Sequence, residues 1–146
     1  MKPSILIFFL AVFVLSCKQN DTASSTPSQT LHEIMQADST GDLEKVISLY
    51  TEDAILIPAA SADIIGKNAI REHYRNIFAG SKLLLQSSTN EIIESSDWTI
   101  IRGNTTGNLI SKTDSTAAPV NDKYLMIMKK QSKKWKIYRL MWAKNP

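Results

Sequence analysis

The 146-residue chain has one cysteine, Cys17, which leaves no partner for an internal disulfide, and only two histidines, His32 and His73. Both histidines fall on helix-like stretches without acidic or cysteine neighbours at ligand spacing, so neither a metal nor a cofactor is expected. There is no Gly-Xaa-Ser-Xaa-Gly elbow. The Gly-containing stretch "RGNTTGN", from Arg102 to Asn108, has no helix after it and cannot cradle a phosphate. No internal repeat is visible, and no apolar run reaches the roughly 20 residues a membrane-spanning helix needs. Acids are missing altogether between Lys123 and Pro146, where eight Lys and Arg residues fall. That asymmetry can mark a nucleic-acid surface. Here, however, the lysines cluster around "KKQSKK", a turn between two apolar strands, and no aromatics are interleaved at stacking spacing. No nucleic-acid partner is expected.

With 43% hydrophobic and 21% charged residues and a net charge of +3, the chain has material for a single domain with an ordinary core. Its N-terminus reads separately. "MKPSILIFFLAVFVLSC" has one Lys, an apolar run from Ile5 to Leu15, then Ser16 and Cys17, the order of an export signal. Val14-Leu15-Ser16-Cys17 resembles the lipobox of bacterial lipoproteins. That resemblance implies a signal peptide over 1–16, a lipidated Cys17 as the mature N-terminus, and a membrane-anchored protein of the bacterial cell envelope, on its periplasmic or surface side. Residues 17–28, rich in Ser, Thr, Asn and Gln, read as a flexible tether, and the domain spans 29–146.

Within the domain, Leu31, Ile34 and Met35 follow helical spacing up to Gly41. Asp42 suits the N-cap of a second helix carrying Leu43, Val46, Ile47 and Tyr50. "AILIP" and "DII" predict a short hairpin. Asn68 can cap a third helix with Ile70, Tyr74, Ile77 and Phe78 on one face. Four long runs come next, "SKLLLQSSTNEIIE", "DWTIIRGNTTGNLIS", "DKYLMIMKK" and "KWKIYRLMWA", separated by turn signals. Helices first and then a meander of strands predict an α+β fold with helices on one sheet face. The adjacent Glu52 and Asp53 are not an acid–base pair, because neighbours on a helix or strand point in different directions.

The segments "GDLEKVISLYTEDA", "GKNAIREHY" and "KYLMIMKKQSKKWKIYRLMW" resemble the nuclear-transport-factor-2-like superfamily, in its SnoaL-like, ketosteroid-isomerase-like branch. The resemblance covers Leu31 to Trp142. It implies a cone: a curved antiparallel sheet wrapped around N-terminal helices, with a pocket at the wide end and often a dimer through the sheet. The isomerases' catalytic residues do not carry over. Ile57 stands where their Asp precedes Pro58, and Ile34 stands where they place a Tyr. Around the last-strand Trp, Leu140 and Ala143 replace the Asp and Asn common in uncharacterised relatives.

Alternation places Trp98 and Arg102 on one face of their strand, Tyr124 and Met126 on one face of the next, and Tyr138 and Trp142 on one face of the last. By resemblance these faces line the cavity, which suits a small, partly apolar ligand anchored by Arg102. Two functions are compatible with this. The first is a ligand-binding domain without a recognisable catalytic set. The second is an isomerase-, cyclase- or hydrolase-type enzyme using residues such as His73, Tyr124 and Arg102. The last two strands are apolar on both faces, which predicts a homodimer through the outer sheet face.

Overall fold

The structure, a computed structural model, describes residues 24–146. The expected signal peptide, Cys17 and most of the expected tether lie outside the described residues. Three helices, α1 (Pro27–Thr40), α2 (Leu43–Ser48) and α3 (Lys67–Gly80), precede or interrupt six strands. The strands are β1 (Tyr50–Pro58), β2 (Ile64–Ile65), β3 (Ser81–Glu94), β4 (Trp98–Ser111), β5 (Ala117–Gln131) and β6 (Lys134–Lys144). The fold is the expected α+β cone, a curved sheet around N-terminal helices.

Helix α1 starts two residues before the expected domain boundary at Gln29. Thr26 and Gln29 form a reciprocal capping box, and Pro27 occupies the first turn, where its missing N–H costs nothing. Gly41, with φ 69°, ends α1 in the left-handed conformation that an L side chain resists. Asp42 then caps α2 by accepting from the Lys45 amide at 3.0 Å. The third helix differs from expectation: its N-cap is Gly66, not Asn68, and no side chain caps it. Packing holds it instead, through Ile70 and Tyr74, both buried.

The sheet order is β2-β1-β6-β5-β4-β3. Neighbours are antiparallel except β1 and β6, which run parallel, so the sheet is mixed rather than wholly antiparallel. The helical crossover α3 frees β1 from pairing only with its sequence neighbours, which a tight turn would not permit. The core lies between the concave sheet face and the helices. It contains Val46, Ile47, Tyr50, Leu56, Ile70, Ile101, Met128 and Ile137, each at most 1% exposed. Two residues of positive φ, Ser132 and Lys133, make the β5–β6 turn at "KKQSKK".

Candidate functional site

A cavity of about 200 Å³ sits between α1, α3 and the concave face of β3–β6. That slightly exceeds a cavity of roughly 150 Å³ known to admit benzene. Leu31, Ile34 and Met35 of α1 wall one side, Tyr74 and Ile77 of α3 another, and Met126, Leu140 and Trp142 the sheet side. The register explains the sheet wall. Tyr124 pairs with Trp142, and Met126 with Leu140, so these four side chains share the inner face.

Gly103 of β4 lies opposite Tyr124. A Cβ at this glycine would come within 2.0 Å of the Ser88 carbonyl oxygen and 2.7 Å of the Tyr124 Oη. The bare backbone therefore lets the Tyr124 ring lie across β4 and accept a hydrogen bond from Ser87 Oγ at 3.1 Å.

Three of the expected site residues, Tyr124, Met126 and Trp142, line the cavity, and Trp98, Arg102 and Tyr138 do not. Arg102 pairs with Leu125, and its neighbour Gly103 with Tyr124, so the expected alternation on β4 is one residue out of phase. Arg102 lies on the convex face, where its Nε is 3.2 Å from Glu91 and its side chain is 55% exposed. It cannot anchor a ligand in the cavity. Trp98 shares that face.

Tyr138 is displaced by a bulge. Ile127 pairs with Arg139 but Met128 with Ile137, so Tyr138 has no partner on β5 and the inner-face alternation resumes at Leu140. Outside, Tyr138 and Trp98 pack edge to face at 5.3 Å. Lys129 Nζ lies 3.4 Å from the Tyr138 ring centre and 4.7 Å from that of Trp98. Glu52 and Asp53 both face solvent, pairing with Lys67 at 2.7 Å and Lys129 at 3.8 Å respectively.

The residues missed from the sequence are Asp38 and Asp122. Asp38 is 9% exposed, its Oδ1 has no hydrogen-bond partner, and it lines the cavity. Burial pushes its carboxyl up to about 7. A signal was present, since Asp38 follows Leu31, Ile34 and Met35 at the next position of the same helical stripe. Asp122 stands two residues before Tyr124 on the same strand face, and its Oδ1 is also buried without a partner.

Beside Asp38, the Tyr50 and Tyr74 hydroxyls share a hydrogen bond at 3.0 Å. Burial first, and then the Asp38 charge, raise the Tyr74 hydroxyl well above its usual range. His73 packs edge to face on Tyr74, and its half-burial lowers its pKa, which favours the neutral imidazole. Among the described residues no three His, Cys, Asp or Glu side chains come together to hold a metal ion.

Helices capping a curved mixed sheet, with a largely apolar cavity on the concave side, define the nuclear-transport-factor-2-like cone. Residues 31–136 match the model of the SnoaL-like domain, and the chain belongs to that family. Solved structures agree on the fold. A ketosteroid isomerase-like protein from Erwinia carotovora atroseptica SCRI1043 superposes with a TM-score of 0.73 at 23% identity, over 82% of this chain and 94% of that one. A nuclear-transport-factor-2-like protein of unknown function from Pseudomonas putida KT2440 gives a TM-score of 0.64 at 16% identity, over 80% and 82%. A conserved protein from Planctomyces limnophilus DSM 3776 gives 0.74 at 12%, over 80% and 92%. No functionally curated protein matches the sequence.

Proposed function

We propose that this chain is a lipid-anchored protein of the bacterial cell envelope whose SnoaL-like domain binds a small, partly apolar molecule. The observation that carries the binding reading is the cavity itself. It is aromatic- and aliphatic-walled, close in size to a single-ring ligand, and supplied with a few convergent polar groups, the usual make-up of a ligand site. The lipid anchor rests on the lipobox-like stretch ending at Cys17. Native mass spectrometry of the protein purified from its own host tests the binding reading. A co-purified small molecule, displaced when Met126→Trp fills the cavity, is the expected result. A cavity empty in the wild type and indifferent to that substitution would refute it.

One observation favours a second, catalytic reading. A carboxyl held near 7 beside a buried tyrosine pair is suited to moving protons at neutral pH, and one similar structure is that of a ketosteroid isomerase-like protein. Under this reading Asp38 takes the place of Arg102 in the set, with His73 and Tyr124 retained. Turnover lost in Asp38→Asn through kcat, beyond any rise in KM, would separate catalysis from binding.

The homodimer belongs to the same proposal. On the convex face one cross-strand row runs Ile65, Ile55, Arg139, Ile127, Ile100, Ile93 over all six strands. Of these, Ile65 is 67% and Ile93 56% exposed. So continuous an apolar row, with one cation at its centre, suits a second copy of the same face.

A further inference from the structure

We infer that the cavity selects a protonated amine with a single-ring apolar body, whose ammonium group lies against Asp38. This rests on the reading of the cavity as a ligand site and names the chemistry that site prefers. The chain carries 17 Lys and Arg against 14 acids, yet no Lys or Arg is among the residues lining the cavity, while two acids are. Each of those acids keeps a buried Oδ1 without a hydrogen-bond partner. A buried carboxylate left unpaired is costly, and a ligand cation is the most direct way to offset that cost.

The surroundings fit an ammonium ion better than they fit an anion. The aromatic rings of Tyr74, Tyr124 and Trp142 line the same space, and a ring face attracts a cation. The groups around Asp38 leave its charge unanswered. From α3, Tyr74 is engaged with Tyr50 of β1, and His73 is held toward its neutral form. Lys82 and Lys112, from the β3 and β4 side, line a second crevice that Asp38 also borders, yet neither forms an ion pair with it. Lys112 donates to the Phe78 carbonyl oxygen instead. At the other acid, Lys144 is the cross-strand partner of Asp122 but is exposed and likewise makes no ion pair. An anionic ligand would meet two carboxyls and no cation.

Three probes of nearly one shape test this: 2-phenylethylamine, 2-phenylethanol and phenylacetate, titrated calorimetrically into the full-length chain. At pH 8 the amine should bind about tenfold or more tighter than the alcohol, the scale of one charge-assisted hydrogen bond, with phenylacetate weakest. Between pH 8 and pH 5.5 the ammonium stays charged while Asp38 takes up a proton, so the amine's advantage should collapse. In Asp38→Asn the amine should fall to the level of the alcohol at every pH, with the alcohol unchanged and the protein still folded by thermal unfolding. Asp122→Asn should lower amine binding by a smaller factor.

An amine preference that persists in Asp38→Asn, or phenylacetate binding as well as the amine, overturns the inference. Equal binding of alcohol and amine overturns it too, yet leaves the ligand-site reading standing. Failure of all three probes overturns the inference, and the ligand-site reading falls with it only if native mass spectrometry also finds the cavity empty.

Discussion

Asp38 is a buried carboxyl without a partner for its Oδ1, and its effect on stability has a definite sign. Its folded-state pKa, about 7, is raised above the usual value of 3.8. The folded state therefore holds a proton that the unfolded chain has already lost between those two values. Stability from this group is fully present below about pH 4 and declines as pH rises through 7. Asp38→Asn removes the charge and keeps the shape. It should be more stable than the wild type at pH 8, by on the order of 3 kcal/mol, and little different at pH 4. Urea unfolding of both proteins at the two pH values measures this, and equal stabilities at pH 8 would contradict it.

Arg102 makes the opposite case. Its ion pair with Glu91 is half in solvent, so Arg102→Met should change stability by no more than about 1 kcal/mol and leave cavity ligands untouched. The same titrations read that outcome. Asp38 was legible in the sequence only as a polar residue on an apolar stripe. Arg102 was visible as a lone cation in a strand, but only the pairing of Gly103 with Tyr124 fixes which face it occupies.

At the scale of elements, the strands were readable because each is a long run of alternating or β-branched residues. Strand β3 has the bounds its sequence suggests, Ser81–Glu94. The register between strands was not readable, because it depends on bulges. Shifts between Thr89 and Glu91, between Ile127 and Met128, and between Tyr50 and Ile55 each reverse the facing of the residues beyond them. Gly103 shows how tightly this register is held. Substituting Ala would drive a methyl group into the Ser88 carbonyl oxygen and the Tyr124 ring. Gly103→Ala should cost about 3 kcal/mol, the upper range for overpacking, and should alter the tyrosine fluorescence near Tyr124. A variant with unchanged unfolding would mean that β3 and β4 separate more easily than their pairing implies.

For the whole molecule, the convex face and the two ends of the chain matter most. If the apolar row is the dimer seam, sedimentation at micromolar concentration should show a dimer for the wild type. Ile100→Lys should give a folded monomer, because a second cation would then sit in the apolar part of the seam, two strands from Arg139. A wild type that sediments only as monomer removes the dimer. The parallel pairing of β1 with β6 has a kinetic consequence. Strand β1 forms one edge of its hairpin early but finds its other partner only when the last strand arrives, with Tyr50 beside Ile137. The first helix is tied to that strand as well, through Thr30 Oγ1 donating to the Trp135 carbonyl oxygen 105 residues away. Contacts of such high sequence separation slow folding, because the loop between them must close before they contribute. A chain lacking β6 therefore has no way to seal the core, and closure waits for that strand. Chains stopped before Lys134 should remain protease-sensitive, and chains that include β6 should become resistant.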